Sequence, residues 1–119
     1  MSDTTVTVLV DAENVRRSTW PNIDEDDLVE RCARWARREG VDVVLVFDGR
    51  APAAREPCDV VGSRSESADD WIVREATRLT AAGTRYRVVT SDRELRERAG
   101  AGAESVVGGG SFARTLLSA

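Results

Sequence analysis

The chain has 119 residues, of which 41% are hydrophobic and 32% charged, as expected of one soluble domain spanning residues 1–119 with a single core. It contains no histidine and no lysine, all 17 basic residues being arginine. That excludes imidazole catalysis, His-ligated zinc, lysine Schiff bases and the P-loop lysine of nucleotide hydrolases. The net charge of −4 argues against a generic polyanion binder while permitting a local basic surface.

The first element is a strand over residues 6–10, where Val6, Val8, Leu9 and Val10 precede Asp11 in "TVTVLVDAENVRR". A helix follows in "IDEDDLVERCARWARRE", with Leu28, Cys32, Trp35 and Ala36 at helical spacing, acids at its start, and arginines and Gly40 at its end. "VDVVLVF" (41–47) is too continuously apolar to have a wet face and reads as a central parallel strand. "CDVVG" (58–62) is a short third strand, and "SESADDWIVREATRLTAAG" a helix striped by Ala68, Ile72, Ala76 and Leu79. "RYRVVT" (85–90) is the fourth strand, and "SDRELRERAG" a helix with Ser91 and Glu94 spaced for a capping box. "ESVV" (104–107) and "SFARTLLSA" close the chain as a strand and a helix. This alternation predicts a three-layer α/β sandwich around a parallel, five-stranded sheet. Cys32 and Cys58 lack metal-ligand spacing and are too few for a bridged scaffold. No leader precedes the first strand and no apolar run is long enough to cross a bilayer, so the cytoplasm is the expected location.

In a parallel α/β sheet, chemistry gathers beyond the carboxyl ends of the strands. Asp11 and Asp48 directly follow the first two strands, Asp92 follows the fourth, and Asp69 and Asp70 open the helix that feeds it. Two such charges ~5 Å apart repel by roughly 3 kcal/mol at an effective dielectric near 20. A converging cluster therefore raises its own pKa values or recruits a cation, and hard oxygen donors suit Mg²⁺ or Mn²⁺. Each acid also has a local explanation. Asp92 fits a helix cap, Asp70 a pair with Arg74, Asp48-Gly49 a turn, and Asn14 the cap of a short helix, with Glu13 solvated. Asp11 is the hardest to explain locally.

"VLVDAENV" resembles the opening motif of NYN domains, a branch of the PIN-like ribonuclease superfamily. "VVLVFDG", "SESADDWI", "VVTSDRELRERA" and "SVVGGGSFARTL" extend the resemblance in order across nearly the whole chain, closest to the YacP-like branch. The resemblance implies a PIN-like sheet in order 3-2-1-4-5 and Mg²⁺- or Mn²⁺-dependent cleavage of single-stranded RNA. Since that branch includes ribosome-associated endoribonucleases, mRNA on the ribosome is among the implied substrates. It makes Asp11, Asp69 and Asp92 the metal-binding acids, with Asp48 in support. Asn14 positions metal water or phosphate, and Thr90 or Ser91 orients Asp92 or touches phosphate. Ala12 and Glu13 depart from the Gly-Tyr pair usual in that branch, and the chain is shorter than many relatives.

Arg16, Arg17, Arg50, Arg55, Arg64 and Arg93 follow or flank these acids and are placed to contact phosphate oxygens. Arg31, Arg34 and Arg38 read as a solvated helix face. Trp20 stacks a base or, the preferred reading, packs on the domain; "GGGS" (108–111) presents amides to phosphate or, again preferred, is a flexible turn. Two other functions compete with the nuclease: a catalytically weak RNA-binding or regulatory module on the same fold, and a receiver-type signalling domain. The receiver requires a lysine that this chain lacks.

Overall fold

Five apolar runs become five strands because their carbonyls and amides find partners only in one another once the side chains leave water. The computed structural model describes residues 5–118. In chain order the elements are β1 (Thr7–Asp11), α1 (Ala12–Arg16), α2 (Glu25–Glu39), β2 (Asp42–Phe47), β3 (Cys58–Gly62), α3 (Ala68–Ala82), β4 (Tyr86–Val89), α4 (Arg93–Gly100), β5 (Ser105–Val107) and α5 (Gly109–Ser118). The sheet is wholly parallel, in order β3-β2-β1-β4-β5, as the resemblance implied. The order reverses beside β1: successive strands step outward through β2 and β3, then the chain returns to place β4 on the other flank. The crevice at such a reversal is where parallel α/β sheets bind ligands.

The period of two along each strand divides the core into two layers. Val8 and Val10 of β1 join Val43, Leu45 and Phe47 of β2 beneath α1, α2 and α5, against Leu28, Cys32, Phe112 and Leu116. Leu9 faces the opposite layer with Val46 and Val88, against Ile72 and Leu79 of α3 and Leu95 of α4. A fully buried Leu or Ile contributes about 1.5–3 kcal/mol relative to exposure, so both helical layers are held chiefly by these contacts. Cys32 and Cys58 are buried free thiols in the first layer. The helix ends follow local rules: Asp24 accepts from the amides of Asp26 and Asp27 to open α2, and Gly40, at φ 69°, ends it as expected.

Several local expectations change. α1 is an element of its own, and Asn14 lies inside it, Asp11 being the residue at its N-cap position. α4 is capped by Asp92, not Ser91: the Asp92 carboxylate accepts from the Leu95 amide at 3.1 Å. Arg74 grips Glu66 with two bonds of 2.6 and 2.7 Å, leaving Asp70 to pair with Arg98 at 3.1 Å. "GGGS" is no flexible turn, since Gly109 and Gly110 form the first turn of α5. No described helix is long and apolar enough to cross a membrane.

Candidate active site

Parallel pairing puts the ends of β1, β2 and β4 on one edge. Asp11 is in register with Val46, so β2 runs one residue further to Phe47 before Asp48; Val10 is in register with Val89, so Thr90 comes level with Asp11. An open hollow there is lined by Asp11, Glu13, Asn14, Arg17, Ser18, Asp48, Asp69 and Ser91. Three of the four acids predicted for the site thus share one surface. Asp92 is not among the lining residues, although its charge is felt by Asp69.

Asp11 is only 7% exposed. Burial pushes its carboxyl up from 3.8 to about 6; Thr90 and the nearby Asn14 amide oppose that rise, and the charges of Asp69 and Asp48 add to it. Among the described residues its side-chain partner is the fully buried Thr90, whose hydroxyl donates to Asp11 Oδ2 at 3.1 Å and accepts from the Asp92 amide, also at 3.1 Å. One hydroxyl therefore ties the end of β1 to the start of α4. Thr90 acts on Asp92 through the backbone and on Asp11 through the side chain.

Asn14 is held by a second link across the same seam. The Ser91 amide donates to Asn14 Oδ1 at 2.9 Å, and because a backbone N–H only donates, this bond fixes which way round the side-chain amide sits. Ser91 Oγ in turn accepts from the Gly109 amide at 2.8 Å. Gly109 is required here: a Cβ at that position would collide with Asn14 Oδ1. α1, the β4–α4 turn and the start of α5 are thereby locked around one amide.

The other acids divide between chemistry and support. Asp48 Oδ1 accepts from the Ala68 amide at 2.8 Å, joining the end of β2 to the first turn of α3. This brings Asp69, the next residue, to the hollow. Asp69 is half-buried, and its carboxyl is raised first by burial, then by the charges of Asp92 and Asp48, while Arg98 opposes the rise. The buried Ser63 braces the same junction, its hydroxyl accepting from the Gly49 amide at 3.2 Å and donating to the Glu66 carbonyl at 2.7 Å. No sequence signal distinguished it from any other loop serine.

The arginines separate by what already holds them. Arg16 is committed to the fold: Nε donates to the Ile23 carbonyl at 2.7 Å, Nη1 pairs with Glu13 at 2.7 Å, and its side chain is 19% exposed. Arg16, expected to contact phosphate, does not line the hollow, whereas Arg17, of which the same was expected, does so and is 70% exposed. Glu13, expected to be solvated, is partly buried between these two arginines; its spacing of three and four residues from them was the signal available. Arg50 and Arg64 line a separate hollow with Gly49 and Gly62. Arg93 stands on the first turn of α4, 92% exposed, 3.6 Å from Glu97. Trp20 does not pack on the domain, being 89% exposed in the loop after α1.

The donor set is carboxylate oxygen, amide and hydroxyl, the chemistry of a hard cation. Among the described residues no three acidic or thiol side chains form a ready-made metal cage. What this edge offers is Asp11 and Asp69 with raised carboxyls, Asp48 beside them, and, among the described residues that line the hollow, Arg17 as the one cationic side chain.

A family model described as a YacP-like NYN domain matches residues 8–107. Two solved structures of Rae1 (YacP) from Bacillus subtilis, one of them a tryptophan-to-leucine mutant, have the same fold. Their TM-scores are 0.74 and 0.73 at 23% and 22% identity, with 94% of this chain and 74% of each of theirs covered. No curated protein matches the chain.

Proposed function

This chain belongs to the YacP-like NYN domain family, and from that premise we propose that it is a Mg²⁺- or Mn²⁺-dependent endoribonuclease acting on single-stranded RNA. The observation that carries the reading is the pair Asp11 and Asp69, held on one open hollow with carboxyls raised by burial and by neighbouring acids. Such a pair is poorly compensated by protein alone, and a cation relieves it. Mg²⁺ keeps much of its water and needs only one or two carboxylates, so Asp11 and Asp69 would hold it, with Asp48 and Asp92 adding negative charge nearby. When bound, the ion supplies Lewis acidity and a more acidic water.

The chain's own groups do the positioning. Asp11 ionises near neutral pH and is oriented by the Thr90 hydroxyl. Asn14, with its carbonyl oxygen taken by Ser91, keeps its amide nitrogen as a donor for a phosphate oxygen or a water. Arg17 and Ser18 on the rim contact the RNA backbone. Labelled single-stranded RNA incubated with the protein and Mn²⁺ or Mg²⁺ is expected to be cleaved, and EDTA or Asp11→Asn to abolish cleavage. Cleavage that survives EDTA would overturn the metal mechanism. RNA bound tightly but left intact under all metal conditions would replace the enzyme with an RNA-binding module.

A further inference from the structure

The helix pair α2–α5 carries a second concentration of arginine, away from the acidic hollow. Arg31, Arg34, Trp35 and Arg38 of α2 meet Leu116 of α5 in one groove; Arg38 also borders an adjoining hollow with Ser111, Arg114, Thr115 and Ser118. The helices are locked together by the edge-on contact of Trp35 with Phe112, centroids 5.0 Å apart, and by Arg31 Nη1 donating to the Leu116 carbonyl at 3.4 Å. Arg31 is neutralised by Asp27 at 2.9 Å, and Arg38 lies 3.9 Å from Glu39. α5 itself contains no acid, and Arg34 and Arg114 have no carboxylate within ion-pair distance among the described residues. On a chain of net charge −4, such a groove is a local excess of positive charge.

The groove and the acidic hollow approach each other at Gly110. Ser18 lines that hollow, and a Cβ on Gly110 would lie 3.9 Å from Ser18 Cβ and 3.7 Å from an Arg114 guanidinium nitrogen. Gly110 therefore forms a low saddle, with the rim residues Arg17 and Ser18 on one side and Arg114 and Arg38 on the other. We infer that single-stranded RNA leaving the acidic hollow crosses Gly110 and runs along α5, its phosphates held by Arg114, Arg38 and Arg34. This path deepens the ribonuclease reading and rests on it. The contacts are to the backbone, so they lengthen the footprint without selecting sequence.

The test measures RNA affinity in EDTA as a function of salt, for a tetranucleotide and for a longer single-stranded oligonucleotide. The variant carries Arg34→Gln, Arg38→Gln and Arg114→Gln, all exposed. A charge-matched control carries Arg74→Gln, Arg78→Gln and Arg87→Gln, taken from ion pairs elsewhere. For single strands each phosphate contact contributes about 0.7 to the slope of log affinity against log salt, so three lost contacts lower it by about 2. The longer RNA is expected to lose about tenfold or more in affinity, and the tetranucleotide much less. An unchanged slope, or an equal loss in the control, overturns the path, and an unchanged slope redirects the groove to an acidic protein segment. If wild-type protein cleaves RNA while the variant binds normally, the path fails and the ribonuclease reading stands. If wild-type protein cleaves nothing yet the variant loses its slope, the groove is an RNA-binding surface and it is the ribonuclease reading that fails.

Discussion

Asp11→Asn is expected to make the protein more stable while removing its activity. Asparagine keeps the volume of aspartate and an oxygen to accept from Thr90, but it never carries the buried charge. Raising a carboxyl from 3.8 to about 6 corresponds to about 3 kcal/mol, at about 1.4 kcal/mol per pH unit. The sign follows from proton binding. Between these two values the folded protein holds the Asp11 proton and the unfolded chain releases it, so wild-type stability falls as pH rises through that window. Below about pH 4 the variant and wild type should be nearly equal in stability; above about pH 6 the variant should lead by about 2–3 kcal/mol. Urea denaturation of both proteins across this range, in EDTA so that no cation offsets the charge, measures the difference directly. A stability difference that does not change with pH, or a variant that is less stable at pH 8, would refute the account of Asp11 as a buried, uncompensated acid.

Asp92 should separate its two roles by substitution. Asn and Asp cap helices about equally well, so Asp92→Asn should leave stability within a few tenths of a kcal/mol, whereas Asp92→Ala should cost about 1 kcal/mol; cleavage by Asp92→Asn at the wild-type rate would reduce Asp92 to a cap. Gly109→Ala should cost about 1–3 kcal/mol in urea denaturation, because its Cβ meets the Asn14 oxygen, and should speed amide exchange at Ser91. Gly110→Ala, facing only ordinary contacts, should be neutral or stabilising; equal costs at the two positions would show that the Asn14 contact is not what demands glycine.

Much of this was readable along the chain because its causes are local. Continuous apolar runs predicted all five strands to within a residue or so, and opening acids and Gly40 marked the ends of α2 by short-range rules. Asp11, Asp48 and Asp69 were placed at one sheet edge by one argument, that ligand sites collect where parallel strands end. The errors were also local in origin. Ser91 and Glu94 had capping-box spacing, yet Ser91 is drawn off by Asn14 and Gly109, and the cap falls to Asp92. Arg16 and Arg17 are equivalent in sequence, but only the first reaches the Ile23 carbonyl and leaves the rim.

Composition and pattern by themselves determined the layered fold and which acids stand at the strand ends, since alternation dictates which side chains are buried. Only the tertiary structure decided what holds the site together. Thr90 reaches Asp11 across 79 residues and Ser91 reaches Asn14 across 77, meetings created by β4 returning to pair with β1. The same return places glycine against Asn14 and brings α5 beside α2, turning arginines that read as a solvated helix face into the wall of a groove. Periodicity within an element says which face is buried; which face of another element it meets is set by strand order.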